Sequence, residues 1–399
     1  MVICKPALFG HRCWSVKKHR TYSYRCLNNR FNDLLVVEKN GGSRTALINS
    51  PSSLNAINNS MVVKLQKMYR EWEDDPDVGF VILKGRGRAF SAGGDLRSIF
   101  NMMKQGKLEE CKQFFRNAYG LIHMIATYSK PHVAILNGIT MGGGAGISVL
   151  GTFRVATQQT VFATPETLIG FHPDGAASFY LSRLPYHLGE YLGLIGDTLN
   201  GAEMLSCGLA THYTHSTNLP LVDKVVANLV TASADPSPIA TCLQKFQDSV
   251  LHHHTSLFHR LQIIDTCFRH NTIEEIVQSL EDEAARENDA WCRSTIKKLK
   301  GIAPLSLKVA LASIRLGRSQ TLEQCLVREY TMTVQALSKQ ISTDFYEGIR
   351  AKLVDKDYSP KWDPPRLEQV SQDMVDRYFS PLSPFEPQLE LPKHENTVS

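Results

Sequence analysis

No apolar run in the 399 residues approaches the about 18–20 that a helix needs to cross a bilayer, so a soluble chain with no membrane partner is expected. The nine cysteines stand at 4, 13, 26, 111, 207, 242, 267, 292 and 325, and none forms a Cys-x-x-Cys pair. That spacing argues against a disulfide framework or a structural zinc site and leaves packing residues or incidental thiols. His252-His253-His254 has Asp248 as its only nearby acid and no adjoining cysteine, so a solvated loop is expected there rather than a metal site. A formal charge of +5 is too small to call for nucleic acid, although it does not forbid it. Acids are missing altogether before Asp33.

That acid-free stretch carries Lys5, Arg12, Lys17, Lys18, Arg20, Arg25 and Arg30, interspersed with Ser15, Thr21, Tyr22, Ser23 and Tyr24. It has the composition of an organellar presequence and no long apolar core of the secretory type. A mitochondrial destination is expected, with residues 1–30 as presequence and the mature chain beginning at about 20–35, where acids first appear. The alternative is a disordered basic tail. The ending Thr397-Val398-Ser399 is not of the peroxisomal Ser-Lys-Leu type.

What is present begins with two apolar runs, 34–39 and 44–49, around Asn40-Gly41-Gly42-Ser43, which predict a β-hairpin. Val62, Leu65, Met68 or Tyr69 and Trp72 then recur at helical spacing, and Asp75-Pro76 closes that segment. Residues 78–83 and 132–136 read as strands, and 112–127 as a helix burying Phe115, Tyr119, Ile122 and Ile125 or Ala126. Helical stretches follow at 188–195 and 202–207, and beyond about residue 255 long helices dominate. Thr272 and Glu275 have capping-box spacing, while 291–300 ends in lysines with Gly301 just past it. The expected organisation is an α/β core over 31–254, a helical region over 255–380 and an irregular, proline-marked tail over 381–399.

Two glycine runs carry the chemistry. Phe90-Ser91-Ala92-Gly93-Gly94-Asp95 and Met141-Gly142-Gly143-Gly144-Ala145-Gly146 each join a strand-like segment to one with helical periodicity. Glycine lets a backbone approach a ligand and turn its N–H groups toward it. A helix N-terminus adds unpaired donors and a positive dipole end. Two such loops converging on one oxygen meet the requirement of an oxyanion hole. Either loop alone reads better as a tight turn without chemistry.

Pro165-Glu166 and Pro173-Asp174 follow, and the combined order of Ser53-Leu54-Asn55-Ala56, both glycine runs, Asn137-Gly138-Ile139-Thr140 and Pro165-Glu166 resembles the crotonase (enoyl-CoA hydratase/isomerase) superfamily. Within it, Gly138–Gly144, Phe153-Arg154-Val155-Ala156-Thr157, Asp344–Ala351 and Asp355–Trp362 are similar to the 3-hydroxyisobutyryl-CoA hydrolases. The likeness covers about residues 33–380. It implies a crotonase-like ββα spiral, although no repeat of fixed period is visible. It also implies an acyl-CoA substrate with no cofactor or metal, and a thioester held by the Gly94 and Gly143 amides. Glu166 would then act as general base or as a nucleophile forming a transient anhydride, and Asp174 would orient the substrate hydroxyl or hold Glu166 and water. Two neighbouring carboxylates are expected to push one pKa upward.

Gly146 occupies the position where hydratases of the superfamily usually carry a second glutamate, which disfavours hydration. Ala118 and Gly175-Ala176-Ala177-Ser178 depart from the hydrolase pattern near the acyl pocket. The expected activity is hydrolysis of 3-hydroxyisobutyryl-CoA, or a related short β-hydroxyacyl-CoA, in branched-chain amino-acid breakdown, with homo-oligomerisation possible. The competing reading is a structural protein of the mitochondrial small ribosomal subunit recruited from this hydrolase family. A hydratase or isomerase is the third.

Overall fold

The computed structural model describes residues 34–227, 229, 235–250 and 256–392. The expected presequence, the histidine run at 252–254 and the last seven residues of the tail lie outside that set.

The hairpin forms as β1 (Leu35–Asn40) and β2 (Ser43–Ile48), in register from Leu35↔Ile48 to Asn40↔Ser43. Its two-residue turn is Gly41-Gly42, with Gly41 at φ +52°. After α1 (Asn59–Asp74) the chain lays down strands two at a time: β3 (Phe80–Gly85) with β4 (Ala89–Ser91), β5 (His132–Leu136) with β6 (Ile139–Met141), and β7 (Phe153–Ala156) with β8 (Val161–Ala163). The first strand of each pair joins a six-stranded sheet that also contains β1, β2 and β10 (His212–Tyr213). The second joins a four-stranded sheet closed by β9 (Leu199–Asn200). This regular alternation between two sheets is the ββα spiral, and α2 (Leu96–Lys104), α3 (Leu108–Ala126) and α4 (Gly143–Gly146) are its crossovers.

β5 is buried at every position because both faces of the sheet are covered, which is why parallel strands read as unbroken apolar runs. Successive side chains point to opposite faces. Phe80, Ile82, Val133, Ile135, Phe153 and Val155 pack under Val222, Val226, Ile239, Cys242 and Leu243. Val81, Leu83, Ala134, Leu136 and Ala156 face the main core.

Helix α1 buries Met61, Val62, Leu65, Met68, Tyr69 and Trp72, and Asn58 caps it by accepting from the Met61 N–H at 3.0 Å. Helix α3 begins four residues before the expected 112, with Glu109 and Glu110 in its first turn. Downstream lie helices Ile273–Arg286, Ala290–Gly301, Pro304–Gly317 and Leu322–Ser338. The Thr272/Glu275 capping box is formed, and Gly301 closes its helix from within instead of following it. These helices share one hydrophobic core with the spiral. Gly317 packs so tightly that an added Cβ would sit 2.0 Å from the Ser178 carbonyl oxygen. Among the described residues no helix is long and apolar enough to cross a membrane.

Candidate active site

Strands β4, β6 and β8 are parallel neighbours, so their C-terminal ends lie along one edge. Each runs directly into one of the marked segments: Ala92–Asp95, Gly142-Gly143 and Thr164–Glu166. Residues far apart in sequence meet there because three short strands share a direction. Ligands in parallel-sheet folds commonly bind outside the carboxyl ends of strands.

The two glycine loops touch. Gly93 is at φ +96°, and a Cβ on it would meet the Met141 carbonyl oxygen at 3.0 Å and the Gly143 nitrogen at 3.3 Å. A Cβ on Gly143 would lie 3.6 Å from the Gly94 nitrogen. The segment Leu54–Ile57 supports the first loop: Ile57 N–H donates to Gly93, and Ala92 N–H donates to Leu54. Asn55 ties the same corner to Ala89 and Arg86. Asp95 accepts from Ser98 N–H and caps α2, which gives that acid a structural task. Neither the Gly94 nor the Gly143 N–H donates to a protein acceptor among the described residues. Helix α4 is a single turn, so the contribution of this loop rests on the amide itself more than on a macrodipole.

Glu166 opens a 3-10 turn, Glu166–Ile169, fixed by Thr167 Oγ1 donating to the Leu194 carbonyl at 3.0 Å. The turn ends at Gly170, φ +69°, where a Cβ would meet the Asp344 backbone oxygen at 2.3 Å. A Cβ on Gly142 would approach Glu166 Oε1 to 2.9 Å, so glycine there admits the carboxyl beside the Gly143 amide. Glu166 is buried, and its Oε2 has no partner among the described residues. Burial, then the charge of Asp174, pushes its pKa well above the usual carboxylate range. Asp174 accepts from the Tyr119 hydroxyl at 2.6 Å, and burial raises it to about 7 despite that bond. Both carboxyls are therefore raised, and desolvation outweighs their mutual repulsion.

Gly94, Gly143, Glu166 and Asp174 line one cavity of about 810 Å³. Its inner wall is Phe114, Phe115, Ala118, Ile122 and Phe171, while Arg88, Arg97 and Lys352 also border it. Two glycines whose amides have no protein acceptor among the described residues line the same space as a carboxyl with a raised pKa, a set of groups suited to polarising a carbonyl and activating water or attacking directly. At Gly146 the space for a second carboxylate is filled, since a Cβ would meet the Gly175 oxygen at 2.7 Å and Ile122 Cδ1 at 2.8 Å. Sequence reasoning missed Glu329, whose buried carboxylate accepts hydrogen bonds from the turn just after Asp174. Its one local signal is an acid on the apolar stripe Leu322, Cys325, Leu326, Met332, Ala336.

A profile of the enoyl-CoA hydratase/isomerase family matches residues 43–379. The chain is 54% identical to the 3-hydroxyisobutyryl-CoA hydrolase-like protein 1, mitochondrial, of Arabidopsis thaliana, over 90% of this chain and 89% of that one. It is 50% identical to the small ribosomal subunit protein mS47 of the same plant, covering 90% and 88%. A solved carnitinyl-CoA dehydratase from Mycobacterium thermoresistibile superposes with a TM-score of 0.82 at 30% identity, over 91% of this chain and all of that one.

Proposed function

The chain belongs to the enoyl-CoA hydratase/isomerase family, and from that premise we propose that it is a mitochondrial acyl-CoA thioester hydrolase acting on 3-hydroxyisobutyryl-CoA or a related short β-hydroxyacyl-CoA. The observation that carries this reading is the Glu166 carboxyl seated against Gly142, beside the unpaired Gly94 and Gly143 amides, with backbone filling the place of a second glutamate at Gly146. The thioester oxygen takes the two N–H groups, which favour it most as negative charge develops during attack. Glu166 supplies the base or the nucleophile, and Asp174 holds the substrate hydroxyl or the water. Arg88, Arg97 and Lys352 place positive charge along the same cavity for the phosphates of CoA. The mitochondrial assignment rests on the named relative and on the basic composition of residues 1–30.

The relative named as a ribosomal protein favours a second reading, assembly into the mitochondrial small subunit. One experiment separates them. Purified protein is assayed for thiol release from 3-hydroxyisobutyryl-CoA and for water addition to the corresponding enoyl-CoA, and mitochondrial extracts are sedimented for ribosome association. Thiol release without hydration supports the hydrolase. Co-sedimentation with no thiol release from any short β-hydroxyacyl-CoA transfers the role to the ribosome.

A further inference from the structure

Resting on the hydrolase reading, we propose that Glu329 is a positioning residue for Asp174, holding the turn that presents the Asp174 carboxyl to the cavity. That turn is strained. Gly175 is at φ +63° and Ala176 at φ +71°, two left-handed residues in succession, and only the first is a glycine. Left-handed non-glycine residues persist where the surroundings over-determine them, and they cluster at functional sites.

One carboxylate reaches this turn from outside its own segment with three hydrogen bonds. Glu329 is fully buried and accepts from Ala176 N–H at 2.7 Å, Ser178 N–H at 2.8 Å and the Ser178 hydroxyl at 2.5 Å. Burial raises the Glu329 pKa, while these three donors and the charge of Arg328 oppose that shift. Arg328 reinforces the turn by donating from Nη2 to Ser178 Oγ at 3.0 Å. Thr333 lies four residues further along the same helix and therefore on the same face. Its hydroxyl is 2.9 Å from the Tyr119 hydroxyl, which donates to Asp174. The Leu322–Ser338 helix thus fixes Asp174 twice, through its backbone by Glu329 and through its side chain by Tyr119.

The charged and titratable groups acting on Asp174 are Glu166 from the 3-10 turn, Tyr119 from α3, Tyr180 from the turn of helix that follows, and Glu329 from the Leu322–Ser338 helix, with His172 and Arg328 set against Glu329. His172 is held neutral by burial, which lowers it to about 3. The negative charge of Glu329 raises Asp174, whereas the Tyr119 hydrogen bond lowers it. The two contacts therefore act on one carboxyl with opposite sign.

Full-length protein labelled with 13C at aspartate carboxyls is titrated by NMR, with Asp174 assigned through Asp174→Asn, and kcat and KM are measured for 3-hydroxyisobutyryl-CoA. Glu329→Gln is expected to lower the Asp174 midpoint and to reduce kcat by about 10- to 100-fold with KM little changed. Tyr119→Phe is expected to raise the midpoint. If both midpoints stay at the parent value, or if Glu329→Gln leaves kcat intact, the proposal is overturned. Should Glu329→Gln fail to fold, Ser178→Ala removes one of the three donors. A several-fold loss of kcat at constant KM then supports the clamp, and an unchanged kcat refutes it. A parent protein without hydrolytic activity defeats the functional reading alone, since the titrations still decide what governs Asp174.

Discussion

The two walls of the cavity are built in opposite ways. One is backbone: Gly94 and Gly143 offer amides at the ends of parallel strands β4 and β6, carry no charge and depend on close approach. The other is side chain: Glu166 is a buried and Asp174 a half-buried carboxyl, and their positions depend on Leu194, Asp344, Tyr119 and Glu329. The first wall is neutral and insensitive to pH by construction. The second holds acids where burial resists their charge, so it favours reactivity at the expense of stability.

The largest effect is expected from Glu166→Gln. Removal of the base or nucleophile should lower hydrolysis by about 10²–10⁴-fold while the fold is retained, measured by thiol release and thermal unfolding. Near-parent turnover by a folded variant removes Glu166 from the chemistry. Gly143→Pro attacks the other wall by deleting one N–H, with an expected loss of about 10²–10³-fold. CoA-product binding should survive far better, because only the charged intermediate rewards that donor fully. Calorimetry with CoA on the same sample shows whether backbone damage is responsible instead.

Gly142→Ala tests the seam between the walls. Its Cβ would press on Glu166 Oε1 at 2.9 Å from a backbone at φ +52°, so about tenfold slower hydrolysis is expected. Steady-state kinetics at saturating substrate provides the check.

The smallest effect concerns stability. Asp174 has a folded-state pKa of about 7, above the about 3.9 of an unfolded aspartate. The folded chain therefore binds more protons across that window, and this group's contribution to stability falls as pH rises from about 4 to about 7. Asp174→Asn should raise the unfolding temperature by a few degrees at pH 8 and by nothing near pH 4. A gain of equal size at both pH values contradicts a raised carboxyl.

The walls also differed in how far the sequence revealed them. Gly94 and Gly143 stood out because glycine runs after strand-like segments are local signals, and His132–Leu136 and the Thr272 cap were readable for the same reason. The three-residue strands β4, β6 and β8 are too short for period-two alternation to register, so the second sheet was accessible only through resemblance. Glu329 was hidden more deeply. Its partner Ser178 lies 151 residues away, and a lone acid on an apolar helical stripe does not name what it binds. The departure at Gly175-Ala176-Ala177-Ser178 was visible, but its meaning depends on the donors that Ala176 and Ser178 present to that acid.

Carbonyl infrared spectroscopy tests most directly whether both walls act on one thioester. 3-Hydroxyisobutyryl-CoA carrying a 13C carbonyl is bound to Glu166→Gln, which should hold it without rapid turnover. The carbonyl stretch is expected at lower frequency than in water, returning toward the solution value when Gly143→Pro is added to the same protein. A bound carbonyl at its solution frequency, or one indifferent to Gly143→Pro, would mean that the glycine amides do not hold the thioester oxygen.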